Sequence, residues 1–106
     1  MASYTEIANE LAKTYVQAKN KRYAINQMVF DINYLSDPKS KLPLDYNAKV
    51  SILKVIHELL AGQRTFKLKE GEEIIPEFKD ITIFFERKRS IIKELKLSNK
   101  ERAMLN

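Results

Sequence analysis

The chain has 106 residues, of which 44% are apolar, 19 are basic and 14 acidic, for a net charge of +5; it has two glycines, three prolines and no cysteine. That is the length of one domain with enough apolar residues for one core, and so few breakers favour long helices over a turn-rich β fold. Without cysteine there is no disulfide framework, thiolate metal site or thiol chemistry, and no apolar run approaches the roughly 20 residues that a membrane-crossing helix needs.

Taken in chain order, Ser3 and Glu6 have the spacing of a capping box. On a wheel of roughly 100° per residue, Tyr4, Ile7, Ala8, Leu11, Ala12, Tyr15 and Ala18 share one face, and Glu6, Glu10, Lys13 and Gln17 share the other. A second apolar set, Ile25, Met28, Val29, Ile32 and Leu35, continues near the first face with the slow drift of a 3.5-residue repeat. Residues 4–35 therefore read either as one long helix or as two helices broken near "KNKRY", residues 19–23. Residues 36–44, "SDPKSKLPL", form a linker with two prolines. Asp45 then has the character of an N-cap and Gly62 of a stop for a helix over 46–61. That helix is apolar almost all round, with a narrow polar stripe of Asn47, Ser51, Lys54 and Glu58, which makes it the central core element. Residues 64–75 turn at Glu70–Gly71, as a short β-hairpin or a plain loop. Pro76 suits the first position of a third strong helix, 76–97. Its spacing gives a buried face of Phe78, Ile81, Phe84, Phe85, Ile91, Ile92 and Leu95. Ser98 and Glu101 repeat the capping-box spacing and predict a short C-terminal helix. The expected fold is all-α: a single-domain bundle of three main helices, the first long or split, plus that short helix.

The residues that could carry chemistry are sparse. His57 is the only histidine. It lies at the edge of the apolar arc of its helix, with no nucleophile motif, and Glu58 beside it points elsewhere. The isolated Gly62 and Gly71 make no phosphate-binding loop. The acidic group Glu70, Glu72, Glu73, Glu77 and Asp80 lacks the alternating register of a calcium loop, and it complements the start of the helix at Pro76. No enzyme, cofactor or metal is expected from these residues.

The basic surplus is spread through the chain, with seven basic against five acidic residues in 1–53 (+2) and twelve against nine in 54–106 (+3). The run Arg87–Lys88–Arg89 looks like one basic patch, but consecutive helical residues point about 100° apart. Arg87 falls on the far side, Arg89 at the border near Lys93 and Lys96, and Lys88 in the middle of the apolar face. Lys88 is thus a seam or interface residue, snorkelling, paired with a carboxylate or setting register.

These features point to a non-enzymatic interaction protein that binds a protein partner through helical faces. It has the character of an adaptor, inhibitor or accessory factor of bacterial or phage type, soluble and cytoplasmic, with a homodimer as one form. The alternative is nucleic-acid binding through Arg89, Lys93 and Lys96 together with Lys19, Lys21 and Arg22, which would show steep salt dependence. A helix-turn-helix is disfavoured by the nine-residue connection 36–44. In size, basicity and helical architecture the chain is also similar to bacteriocin immunity proteins. That similarity lies in general properties, without a shared motif, and implies protection of a sensitive strain on expression.

Overall fold

Asn20 decides the first third of the architecture. Its backbone is extended (φ −102°, ψ 101°) and its side chain accepts a hydrogen bond from the Tyr23 amide at 3.0 Å, capping a new helix. The chain therefore forms α1 (Tyr4–Gln17) and α2 (Lys21–Tyr34), not one helix over 4–35. The computed structural model describes residues 4–35 and 44–105, with side chains up to residue 95. Ser3 and most of the linker lie outside the described residues, as do the side chains of Lys96, Ser98 and Glu101.

Asp45 caps α3 (Tyr46–Leu60), its carboxylate accepting from the Ala48 amide at 2.7 Å. Gly62 takes φ +79° just beyond the end of α3, a conformation that glycine adopts without penalty. The exposed Asn47, Ser51 and Lys54 occupy the narrow polar stripe, and Ile52, Leu53, Ile56, Leu59 and Leu60 are buried. α4 (Phe78–Leu105) differs from expectation at both ends. Pro76 precedes the cap rather than opening the helix. Glu77 stands at the cap, its amide donating to Asp80 Oδ2 at 2.8 Å, one half of a capping box. At the other end the helix continues to Leu105 with no break at Ser98, since no glycine or proline follows Pro76.

The result is a four-helix, all-α bundle, and no helix is long and apolar enough to cross a membrane among the described residues. α1 packs mainly on α3, and α4 packs on both α2 and α3. Contacts pair Lys21 with Asp80 and Asn26 with Arg87, so α2 and α4 run parallel. The core is Ala8, Ala12 and Tyr15 of α1, Ile25, Met28, Val29 and Ile32 of α2, the apolar arc of α3, and Phe84, Ile91 and Leu95 of α4.

Residues 64–75 form no strand. The turn at Glu70–Gly71 is present, with Glu72 N–H donating to the Lys69 carbonyl at 3.0 Å and Gly71 at φ +85°. The segment before it is instead tied to α1. The Asn9 side chain donates to the Lys67 carbonyl at 3.1 Å and accepts from the Lys67 amide at 2.8 Å, taking the place of a ladder partner. Lys13 Nζ reaches Glu72 at 3.2 Å beside it. Asn9 and Lys13, on or next to the polar side of the α1 wheel, are therefore buried beneath this connection.

Candidate interaction surface

The apolar spacing of α4 spans a wider arc than the core can cover. Phe84, Ile91 and Leu95 are fully buried and Ile81 and Ile92 partly so, whereas Phe78 is 85% and Phe85 65% exposed. The expectation that Phe78 and Phe85 belong to the buried face is thus corrected. Seven residues apart, they share one ridge of the helix. Arg89 and Lys93, both exposed, fall within roughly 80° of the same ridge on the wheel. This face of α4 combines large aromatics with cations.

Beside it lies the seam between α3 and α4. Lys88 is half-buried and its Nζ sits 2.9 Å from His57 Nδ1. An ammonium only donates, so Nδ1 accepts and the imidazole is neutral, with its proton on Nε2. The partner of Lys88 is therefore a neutral ring rather than the carboxylate expected. His57 is held below its ordinary pKa by burial first and then by the Lys88 charge, against a smaller opposing pull from Glu58. Its ring meets Phe84 and Phe85 edge to face, at centroid distances of 6.1 and 6.0 Å. Arg87 does not point to the far side as expected. It is half-buried, donating to Asn26 Oδ1 at 2.8 Å and lying 3.7 Å from Glu94.

The remaining basic candidates are not gathered in one place. Lys21 is engaged inside the bundle, where its Nζ donates to the carbonyls of Tyr15 at 3.0 Å and Val16 at 2.6 Å and lies 3.2 Å from the buried Asp80 carboxylate. Tyr15 donates its hydroxyl to the Asp80 carbonyl at 2.9 Å, and burial with the nearby Asp80 charge pushes its pKa up to about 12. Lys19 and Arg22 are exposed at this end of α2. Arg89 and Lys93 lie roughly 14 and 20 Å further along α4, counted from Asp80 at 1.5 Å per residue.

Of the acidic group, Asp80 is tied to Lys21, Glu72 to Lys13 and Glu77 to Lys79. No three metal-ligating side chains converge among the described residues.

Two buried or ridge features were missed by pattern reading. Lys49 is 1% exposed and donates to Asn33 Oδ1 at 3.1 Å. On the wheel it falls between Tyr46, Leu53, His57 and Leu60, which was the available signal. On α2, Tyr23, Phe30 and Tyr34 are 67%, 54% and 58% exposed and lie within roughly 40° of one another. Their shared ridge follows from their spacing of seven and four residues. No family model, curated protein or solved structure matches the chain.

Proposed function

We propose that the protein is a non-enzymatic interaction protein that binds a protein partner through helical faces, with the Phe85 face of α4 as the contact surface. The observation that carries this reading is the ridge of Phe78 and Phe85, mostly exposed, with Arg89 and Lys93 alongside. Large aromatics exposed together on a folded domain mark contact sites. Aromatics and arginine are also the residues that dominate binding energy at interfaces. The adjoining cations suit a partner whose apolar patch is ringed by acidic side chains. The separation of Lys19 and Arg22 from Arg89 and Lys93 favours a local protein contact over a continuous phosphate track.

The test compares wild type with Phe78→Ser/Arg89→Glu as baits in extracts of the native host. Both positions are exposed, so the variant is expected to keep its melting temperature and helical circular dichroism. A protein retained by wild type and lost by the variant, with direct binding then measured between the purified pair, supports the reading. Identical captures by the two baits overturn it.

A further inference from the structure

The aromatic ridge of α2 is distinct from the Phe85 face, and it is unusual for this chain in carrying almost no charge. From Tyr23 to Tyr34 the sequence holds one ionisable acid, Asp31, and no basic residue. Asp31 is half-buried and accepts from Gln27 Nε2 at 3.0 Å. On a protein of net charge +5, a face without cations is the kind on which a second, equally basic copy can sit without like-charge repulsion.

The ridge also has a knob and a hole. The knob is the pair Phe30 and Tyr34, whose ring centroids are 4.5 Å apart. The hole is a groove of about 150 Å³ between α1 and α2, walled by Leu11, Ala18, Tyr23, Ala24, Gln27 and Met28 among others. A cavity of roughly that volume accommodates a benzene ring. Knob and hole lie on the two halves of one helix. A two-fold axis crossing α2 near residue 29 therefore places Tyr34 of one copy over Ala24 of the other and Phe30 over Met28. The same operation seats both knobs at once, as an isologous interface requires. It also sets Gln27 against Asp31 of the second copy, so that no two carboxylates meet.

We infer that α2 forms the interface of a symmetric homodimer in which Phe30 and Tyr34 of each copy fill the α1–α2 groove of the other. An aromatic side chain can bury 150–250 Å², so three that are just over half exposed offer on the order of 350 Å². That is somewhat under half of the roughly 800 Å² per partner of a standard interface, and the groove walls and amides supply more. The interface is at the weak end, with dissociation in the range of about 10–100 μM.

Sedimentation velocity of the full chain from about 1 μM to 1 mM tests this, a range that brackets the expected midpoint. Wild type is expected to move from monomer to dimer, and Phe30→Ser and Tyr34→Ser each to weaken association at least about tenfold. Gln27→Asp, which opposes Asp31 across the axis, is expected to weaken it as well, and Gln27→Lys to preserve it. A wild type that stays monomeric throughout overturns the proposal. So does a dimer whose midpoint ignores the Phe30 and Tyr34 substitutions. Phe78→Ser is expected to leave the midpoint unchanged, so the dimer and the partner-binding face can fail independently.

Discussion

Replacing Lys21 with methionine removes one side chain from a junction of three helices. Lys21 Nζ bonds the last carbonyls of α1, opens α2, and pairs with Asp80 at the start of α4. Asp80 is 1% exposed, and its Oδ1 has no hydrogen bond among the described residues, so Lys21 supplies its counter-charge. In Lys21→Met the carboxylate stays buried with one hydrogen bond, from the Glu77 amide. Stranding one member of a buried pair costs about 3–5 kcal/mol. The Lys21 side chain is 11% exposed, at the edge of the bundle where water can reach the junction, so the low end applies, about 3 kcal/mol. For a domain near this size that lowers the melting temperature by roughly 12–24 °C. Asp80→Asn keeps an acceptor for the Glu77 amide and strands no anion, so it is expected to cost about 1–2 kcal/mol. Lys21→Met/Asp80→Asn should then cost clearly less than the two single changes added, with a coupling of at least about 1 kcal/mol. Urea unfolding of the four proteins, read by circular dichroism, measures the cycle. A Lys21→Met protein within about 0.5 kcal/mol of wild type, or additive single effects, would refute the reasoning.

Three further outcomes follow from the seam and the tethered connection. Because His57 is held below its ordinary pKa, the unfolded chain binds its proton first. The stability this contributes is complete above pH 6.5 and is lost as pH falls below 6.5 toward the folded value. Glu58 and Glu72 are lowered carboxylates, by hydrogen bonds from Arg64 and from the Lys69 amide first, so their contributions fade only below about pH 4.5. His57→Gln should therefore flatten urea midpoints between pH 6.5 and 5, and equal slopes in wild type and variant would refute this. Lys88→Leu removes a half-buried cation from beside a neutral ring and is expected to stabilise the fold by about 1 kcal/mol in the same assay. A loss of that size would mean that the ammonium holds the seam. Asn9→Ala leaves both backbone groups of Lys67 without their partner, at a cost of about 1–3 kcal/mol. It should speed hydrogen exchange at the Lys67 amide, and unchanged protection there would contradict the tether.

Much of the bundle was legible because local signals were sufficient. Asp45 and Gly62 frame α3, and its polar stripe lies on the exposed side as read. The break between α1 and α2 was legible only as one of two readings. The apolar spacing runs on through Asn20 because both helices face the same core, and only the cap distinguishes a corner from a turn of helix. Lys88 was placed in the apolar seam by its spacing, but its partner was not readable. His57 comes from the crossing of α3 and α4, and a neutral imidazole is not what charge pairing suggests. Asn9 and Lys13 were unreadable for a different reason. They are buried by a connection with no periodicity of its own, which lies across α1 and is held there by the buried groups themselves. The burial of Phe78 and Phe85 was misread because spacing defines an arc and not its centre. Phe84, Ile91 and Leu95 set the centre, and the neighbouring Arg89 and Lys93 marked the edge that faces water.

The buried polar groups share a location that explains their presence. Asn9 and Lys13 join the 64–75 connection to α1, Lys49 joins α3 to α2, and Asp80 joins α4 to Lys21 at the α1–α2 corner. Each lies where two elements meet, and the interior of each helix-to-helix contact is apolar. Apolar burial is non-directional, so it sets how much surface is hidden but not which helix lies beside which. A buried group that must be satisfied is directional, since a shift of one turn along α4 would move Asp80 by about 5.4 Å and strand it. The parallel pairing of α2 and α4 is anchored in this way at Lys21–Asp80 and again at Asn26–Arg87, two points that together exclude a shifted register. That register also sets where the free ridges end up. With α2 and α4 held at those two points, Phe85 sits over the His57 seam while Phe30 and Tyr34 stand clear of the bundle on α2.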